Sequence, residues 1–273
     1  MNPSVKVIIL NWNGANLTID CLKSFEKVQY NNYEVLVVDN GSIDDSIIKI
    51  KSKYPNIEIL ELDKNYGFSG GNNRAIDHIK NNSTDLVIFL NNDTTVEPDF
   101  IEKLVEQSKK MGDKHFYGPK MLYADSPTQI WYAGGIVDLD KGIIEHIGIR
   151  EIDNRQFDSF SQTNYISGCC LMTSFETIIK LNGFNELFNM YAEDVDLCIR
   201  AKAQKINCYF VPESKIYHKV SASLGGQFSY KKIVKKMISI FKLVKVHRNI
   251  LKAVWVIVLM IVRKLKVKRY EDD

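Results

Sequence analysis

The sequence predicts an α/β fold, a mainly parallel central sheet flanked by helices, with a basic helical extension at the C-terminus. Three observations carry this. Short apolar stretches recur at 5–10, 35–38, 57–62 and 86–90, the length of buried strands in a sheet covered on both faces. Between them, apolar residues return at helical spacing. Strands alternating with helices build right-handed βαβ units and hence parallel pairing.

Each element has its own signal. Val5 to Leu10 predicts a strand, and Leu17, Cys21 and Phe25 a helix face. Val35 to Val38 is a second strand, followed by a helix marked by Ile43, Ile47, Ile50 and Tyr54. Ile57 to Leu62 is a third strand, and Gly70 to Ile79 a helix after a glycine-rich entry. Leu86 to Leu90 is a fourth strand. Pro98 suits the first position of a helix carrying Ile101, Leu104, Val105 and Ser108 on one face. After about residue 115 the pattern changes. Tyr117 to Tyr123, Trp131 to Val137 and Ile143 to Ile149 predict short strands with glycine-containing turns. Ile166 to Thr173 is another strand, Phe175, Ile178 and Ile179 mark a short helix, Asp194 to Lys205 a longer one, and Cys208 to Val211 closes the sheet.

Composition fits a globular body of 273 residues, 45% hydrophobic and 25% charged. The five cysteines are odd in number, and no pair has zinc-ligand spacing. With no signal-peptide pattern at the N-terminus, they are expected to be free thiols in a reducing cytoplasm. Cys169-Cys170 reads as two small buried hydrophobes. The net charge of +3 conceals an asymmetry: from Lys215 to Tyr270 there are fifteen Lys and Arg and no Asp or Glu. Residues 1–214 then hold 21 basic and 30 acidic residues, a net of −9.

The chemistry concentrates where strands end. The apolar run Leu86 to Leu90 stops at Asn91-Asn92-Asp93. A carboxylate at the tip of a buried strand lies where α/β proteins bind ligands, and it can hold a divalent cation that in turn holds a diphosphate. The first strand ends Leu10-Asn11-Trp12-Asn13-Gly14, and the second Asp39-Asn40-Gly41-Ser42. A glycine-rich segment, Asn65 to Arg74, lies between them and the fourth strand. Singly, each is ordinary turn chemistry; four at one sheet edge point to binding. No G-x-G-x-x-G follows the first strand and no P-loop motif is present, so neither a dinucleotide fold nor a P-loop NTPase is indicated. Arg74 stands near the loop as a candidate base or phosphate contact.

A second centre is Met190 to Arg200, where Glu193, Asp194 and Asp196 crowd a helix start. Helix-dipole complementarity accounts for one acid, at about 0.3–1 kcal/mol, more comfortably than for three. Burial beside Tyr191 and Met190 would raise a carboxylate toward a useful base. His218 follows the closing strand, and gains meaning if Asp93 binds metal nearby.

In order and spacing, VIILNWNG (7–14), VLVVDNGSIDDS (35–46), NYGFSGGNNRAI (65–76), FLNNDTTVEPDF (89–100), ISGCCLMT (166–173), GFNELFNMYAEDVDLCIRA (183–201) and YHKVSAS (217–223) resemble the family 2 glycosyltransferases. The nearest branch is the bacterial rhamnosyltransferase-like one, and the likeness runs from about Val5 to Ser223. It implies a single GT-A domain over 1–225, with a nucleotide-binding half at 1–115, an acceptor half at 116–225, and the extension at 226–273. It also implies a nucleotide-sugar site of Leu10, Asn11, Asn13, Asp39, Asn40, Arg74 and Asn92. Asp93 would bind Mg²⁺ or Mn²⁺ with His218 as a further ligand, and Asp194, in its pair with Glu193, would be the catalytic base. Asn91 replaces the first acid of the family's D-x-D element, which removes a charge from the metal site. The implied reaction is an inverting transfer from a nucleoside-diphosphate sugar, dTDP-rhamnose or a UDP-hexose, to a hydroxyl of a cell-surface glycan or its lipid-linked precursor.

Two other readings compete. A sugar-1-phosphate nucleotidyltransferase wants a basic glycine-rich loop after the first strand, which Asn11 to Gly14 does not supply. A non-catalytic sugar-nucleotide binder has no use for Glu193 and Asp194. In the basic arm, Ala253 to Val262 is a run of ten apolar residues, about 15 Å of helix against a bilayer core of about 30 Å. The arm at 231–269 is therefore expected to lie on an anionic membrane surface, the cytoplasmic leaflet, rather than cross it. A helix packed on the body is the alternative. With little aromatic interleaving, no nucleic-acid partner is expected.

Overall fold

A computed structural model describes residues 2–188, 191–220 and 230–271. Met190, residues 221–223 of the last motif and the side chains of 230–233 and 261–271 lie outside the described set. The first half runs β1 (Val5–Asn11), α1 (Ala15–Phe25), β2 (Tyr33–Asp39), α2 (Ser46–Lys53), β3 (Glu58–Glu61), α3 (Gly67–His78), β4 (Leu86–Asn91), β5 (Thr94–Val96) and α4 (Phe100–Met111). The second half runs β6 (Phe116–Tyr123), β7 (Ser126–Tyr132), β8 (Gly135–Asp138), β9 (Ile143–His146), β10 (Ser161–Thr163), β11 (Cys170–Ser174), α5 (Phe175–Lys180), α6 (Glu193–Ala203) and β12 (Cys208–His218). The arm is α7 (Tyr230–His247) and α8 (Ile250–Glu271).

The main sheet has the order β10-β12-β6-β11-β4-β1-β2-β3, with β5 on β12 and β7 on β6. β3, β2, β1 and β4 are parallel, as is β12 with β6, while β11 runs antiparallel to both its neighbours. Alternation along the strands separates two cores. Val5, Val7, Ile9, Ile88 and Leu90 face one with α1 and α4, whereas Ile8, Val87 and Phe89 face the other with α3, α5 and α6. α1 buries Ala15, Thr18, Cys21, Leu22 and Phe25, the three-and-four spacing of a helix on a sheet.

Several boundaries differ from expectation. Pro98 lies outside α4, which starts at Phe100. Trp131 to Val137 is two strands, because Gly134 turns the chain at φ +113° between β7 and β8. β12 runs on through Glu213, Ser214 and Lys215, past a register shift between Val211 and Lys215, to reach His218. All five cysteines are buried free thiols.

The arm is docked on the second core. Ile240, Leu243 and Val244 of α7 and Ala253 and Val256 of α8 are buried. His247 Nε2 lies 2.8 Å from Asp196 Oδ1, and Lys252 Nζ 3.3 Å from Asp140 Oδ1. The opposite face of α8 is exposed: Leu251 at 80%, Trp255 at 55% and Val254 at 52%. Among the described residues no helix is long and apolar enough to cross a membrane.

Candidate active site

The chain runs outward from β1 to β2 and β3, then returns to β4 on the other side of β1. Such a reversal opens a crevice at the carboxyl ends of the strands, where open α/β sheets take ligands. Register brings the expected residues to that edge. Asn11 lies opposite Asp39, and Leu10 opposite Asn91.

Hydrogen bonds lock the edge together. Asp39, almost fully buried, accepts from Ser42 N (2.8 Å), Ser42 Oγ (2.7 Å) and Asn11 Nδ2 (2.8 Å). Asn11 Oδ1 accepts from Thr18 Oγ1 (2.7 Å), and Asn92 Nδ2 donates to Thr18 Oγ1 (3.0 Å). Asn13 sits at φ +48°, its Oδ1 accepting from Ile43 N (2.9 Å). Asn40 holds the glycine loop: its Oδ1 accepts from Tyr66 N, and its Nδ2 donates to Gly67 O (3.0 Å) and Asn65 Oδ1 (3.2 Å). A Cβ on Gly71 would stand 2.6 Å from Leu10 Cδ1, so a glycine there lets α3 lie against the end of β1. Arg74 stacks on Tyr66, its guanidinium carbon 3.2 Å from the ring centroid, and donates to Gly70 O (2.9 Å). Asn40 and Asn92 are thus engaged in shaping the crevice, while Leu10, Asn13 and Arg74 remain part-exposed or exposed at its rim.

Across the edge, β12 pairs with β5 so that His218 lies opposite Thr94, and Lys219 N donates to Asp93 O (2.8 Å). His218 Nε2 comes within 3.2 Å of Asp93 Oδ1, yet that oxygen and His218 Nδ1 are buried without a hydrogen bond. Buried polar atoms normally find partners. Asp93 Oδ1 and His218 Nε2, the ring nitrogen turned toward it, fit a divalent cation between them, with imidazole favouring Mn²⁺ over Mg²⁺. No cluster of three or more His, Cys, Asp or Glu surrounds them among the described residues. The remaining ligands would come from phosphate oxygens and water, as is usual for Mg²⁺-type sites.

The third wall is the start of α6. Tyr191 and Ala192 both adopt φ +71°, a left-handed entry that favours glycine elsewhere. It presents Asp194, whose Oδ2 accepts from Gly168 N (2.9 Å) and Oδ1 from Val195 N (2.8 Å). Glu193 is buried and its Oε2 has no partner. Burial pushes the Glu193 carboxyl up to about 8, and the adjacent Asp194 charge adds to it. Burial also raises Asp194, opposed by the hydrogen bonds from Gly168 and Val195. Those bonds favour the charged form, so Glu193 carries the pair's proton and Asp194 the charge. Asp196, by contrast, points away to Arg200 and His247.

Asn91 N donates to Cys169 O (2.9 Å), one residue from Gly168. The Cys169 thiol is raised by burial and also feels both Asp93 and Asp194. The Asp93–His218 pair and Asp194 therefore flank one short seam between β4 and β11. The other cleft of note, lined by Ser4, Lys6, Asn32, Tyr33 and Thr84, lies at the opposite end of the strands. Its Lys6 is already paired with Glu34 and Glu58.

The sheet order, with its crevice at the carboxyl ends of the strands, is that of the GT-A fold. Residues 6–181 match the family model described as glycosyl transferase family 2, and the chain belongs to that family. It is 27% identical over 231 residues to O-antigen biosynthesis protein RfbC of Myxococcus xanthus, a match covering 81% of this chain and 18% of RfbC's length. It is 27% identical over 213 residues to the N-acetylglucosaminyl-diphospho-decaprenol L-rhamnosyltransferase of Mycobacterium tuberculosis, covering 70% of this chain and 68% of that one. The crystal structure of GalNAc-T7 with UDP, GalNAc and Mn²⁺ superposes with a TM-score of 0.69 at 14% identity, over 89% of this chain and 48% of that one.

Several site residues carry little signal in the sequence. Ser42 and Thr18 are common polar residues, and Gly168 acts through its backbone N–H. Trp131 and His146 stand beside His218, at 4.4 Å from Trp131 to His218 and 4.5 Å from Trp131 to His146 between ring centroids. They stand on different strands, joined through the turns at Gly134 and Gly142 and the hydrogen bonds of Ala133 N to Ile147 O and Ile147 N to Gly134 O.

Proposed function

We propose that the protein is an inverting, cation-dependent glycosyltransferase that moves a sugar from a nucleoside diphosphate to an acceptor hydroxyl. The observation that carries this reading is the seam between β4 and β11, with Asp93 and His218 on one flank and Asp194 on the other. Residues 1–115 take the nucleotide, with Asp39, Asn11, Ser42 and the rim residues Leu10, Asn13 and Arg74 facing base, ribose and phosphates. Asn40 and Asn92 keep that crevice in shape. Residues 116–225 take the acceptor, and 226–273 form the extension.

Asp93 and His218 would hold Mg²⁺ or Mn²⁺, which when bound supplies neutralisation of the charge building on the departing diphosphate. Asp194 removes the proton of the attacking hydroxyl, help worth typically 10²–10⁴-fold. The hydroxyl attacks from the side away from the leaving group, and one displacement inverts the anomeric carbon. Glu193 holds a proton and leaves Asp194 as the single anion. The rhamnosyltransferase relative supports dTDP-rhamnose as donor, with a UDP-hexose as the second candidate. Its named N-acetylglucosaminyl-diphospho-decaprenol acceptor supports a lipid-linked glycan here. The exposed apolar face of α8 beside the arm's Lys and Arg residues supports attachment to the anionic inner surface of the plasma membrane.

The test is release of nucleoside diphosphate with glycan product from dTDP-rhamnose or UDP-hexoses, with Mn²⁺ and with chelator. Chelator and Asp93→Ala are expected to abolish transfer. Asp194→Asn should lower kcat at least 10²-fold while the donor still raises the thermal midpoint. Full turnover in Asp194→Asn would remove the assigned base.

A further inference from the structure

We propose that Trp131 and His146 form the acceptor subsite, the indole supporting a pyranose ring and His146 Nε2 accepting a hydrogen bond from an acceptor hydroxyl near the attacking one. This rests on the transferase reading and names residues for it. Trp131, at the end of β7, has its ring set edge-to-face against both His218, at an interplanar angle of 79°, and His146, at 74°. It thus lies against His218 of the proposed cation pair, on the side of β6 and β12, since β7 pairs with β6. His146, at the end of β9, places its Nδ1 3.1 Å from Trp131 O. A carbonyl only accepts, so Nδ1 carries the hydrogen, and in the neutral ring Nε2 presents a lone pair. Burial supports the neutral form, holding His146 down at about 4.

Neither Trp131 Nε1–H nor His146 Nε2 has a hydrogen-bond partner among the described residues, and both residues are part-exposed. An aromatic plate with one unused donor and one unused acceptor matches the face of a sugar, whose hydroxyls both give and receive. Asp194 lies in the same neighbourhood. Lys236 of α7 acts electrostatically on both His146 and Asp194, and Tyr165, whose ring centroid is 6.0 Å from that of His146, feels Asp194. A site that hydrogen-bonds a hydroxyl rejects analogues lacking it far more strongly than an apolar pocket rejects a size change. The pair would therefore set acceptor specificity.

Saturation-transfer NMR provides the test, with octyl glycosides of rhamnose, glucose, galactose and N-acetylglucosamine as probes, in the presence of UDP and Mn²⁺. The wild-type chain is expected to engage at least one of them, and His146→Leu and Trp131→Ala to lose it. His146→Gln, which keeps an acceptor atom, should retain part of the signal. In turnover, His146→Leu should raise acceptor KM about tenfold, the worth of one hydrogen bond, and leave donor KM within about twofold. A wild type that engages none of the four probes overturns the assignment. So do folded variants with unchanged probe binding and acceptor KM. A wild type that binds a probe at Trp131 yet transfers sugar from no nucleotide would instead sink the transferase reading and leave the sugar site standing.

Discussion

Glu193 is a carboxyl held well above the ordinary range of its kind. Its carboxyl is buried beside Asp194 with an unpartnered oxygen, and it is raised to about 8. The sign of its contribution follows. The folded form binds the proton more tightly than the unfolded chain, so its stabilising share is full below about 4.5 and is lost as pH rises through 8. A tenfold difference in proton affinity between folded and unfolded chain is worth about 1.4 kcal/mol, and a chain of this size changes its thermal midpoint by ~2–4 °C per kcal/mol. Wild-type protein is thus expected to lose several degrees between pH 5 and 9. In Glu193→Gln that decline should shrink, which calorimetry across the range would measure. An undiminished decline would place the titrating group elsewhere. The sequence showed three acids at a helix start, but not which of them faced inward. Asp196, two positions on, turns the other way, and only the three-dimensional path of α6 separates the roles.

At the scale of elements, the clasp between α6 and α7 controls the arm. Asp196 is fully buried; burial alone would raise its carboxyl, but the hydrogen bonds from His247 and Arg200 outweigh it and hold the group below its ordinary 3.8. Its share of stability is present above that value and lost as pH falls through the depressed one. Asp196→Asn is expected to cost about 3 kcal/mol at pH 7, the scale for breaking a buried ion pair. The gap to wild type should close in strong acid, as seen by denaturant titration at pH 7 and pH 3. A constant gap would mean that shape, not charge, holds the clasp. The elements of the first half were legible because apolar runs and helical periods dominate there. The three-residue strands β5 and β10 were not, since so short a segment has no period to read. The later part of β12 was hidden because Glu213, Ser214 and Lys215 look like a turn. In the structure Ser214 is buried and its hydroxyl donates to Phe100 O (2.9 Å).

At the scale of the molecule, the described residues of the basic arm pack on the acidic body. α7 and α8 share the second core with α3, α5 and α6, while α8 turns Leu251, Val254, Trp255 and Val258 outward. Charge counting found the arm; that one of its faces would be buried was carried by long-range packing that no local pattern records. Replacing Leu251 and Trp255 by Glu is expected to lower affinity for phosphatidylglycerol vesicles at least tenfold, since each such side chain gains roughly 1.5–3 kcal/mol on leaving water. The thermal midpoint should hardly move, because both residues are exposed. Vesicle flotation measures the first and calorimetry the second. Equal flotation of wild type and variant would rule out this face as the lipid contact.

The interlock at Gly142 has a geometric outcome. That residue sits at φ +65° in the turn from β8 to β9, and any Cβ there would stand 2.4 Å from a methyl of Val256. The hairpin that delivers His146 is thereby keyed to the same helix that offers Trp255 to the outside. If lipid bears on that helix, the distance from the bilayer plane to the reacting hydroxyl becomes a constant of the fold. Under the proposed function the protein would then act as a ruler, reaching carriers whose headgroup stands at that height and passing over those that fall short.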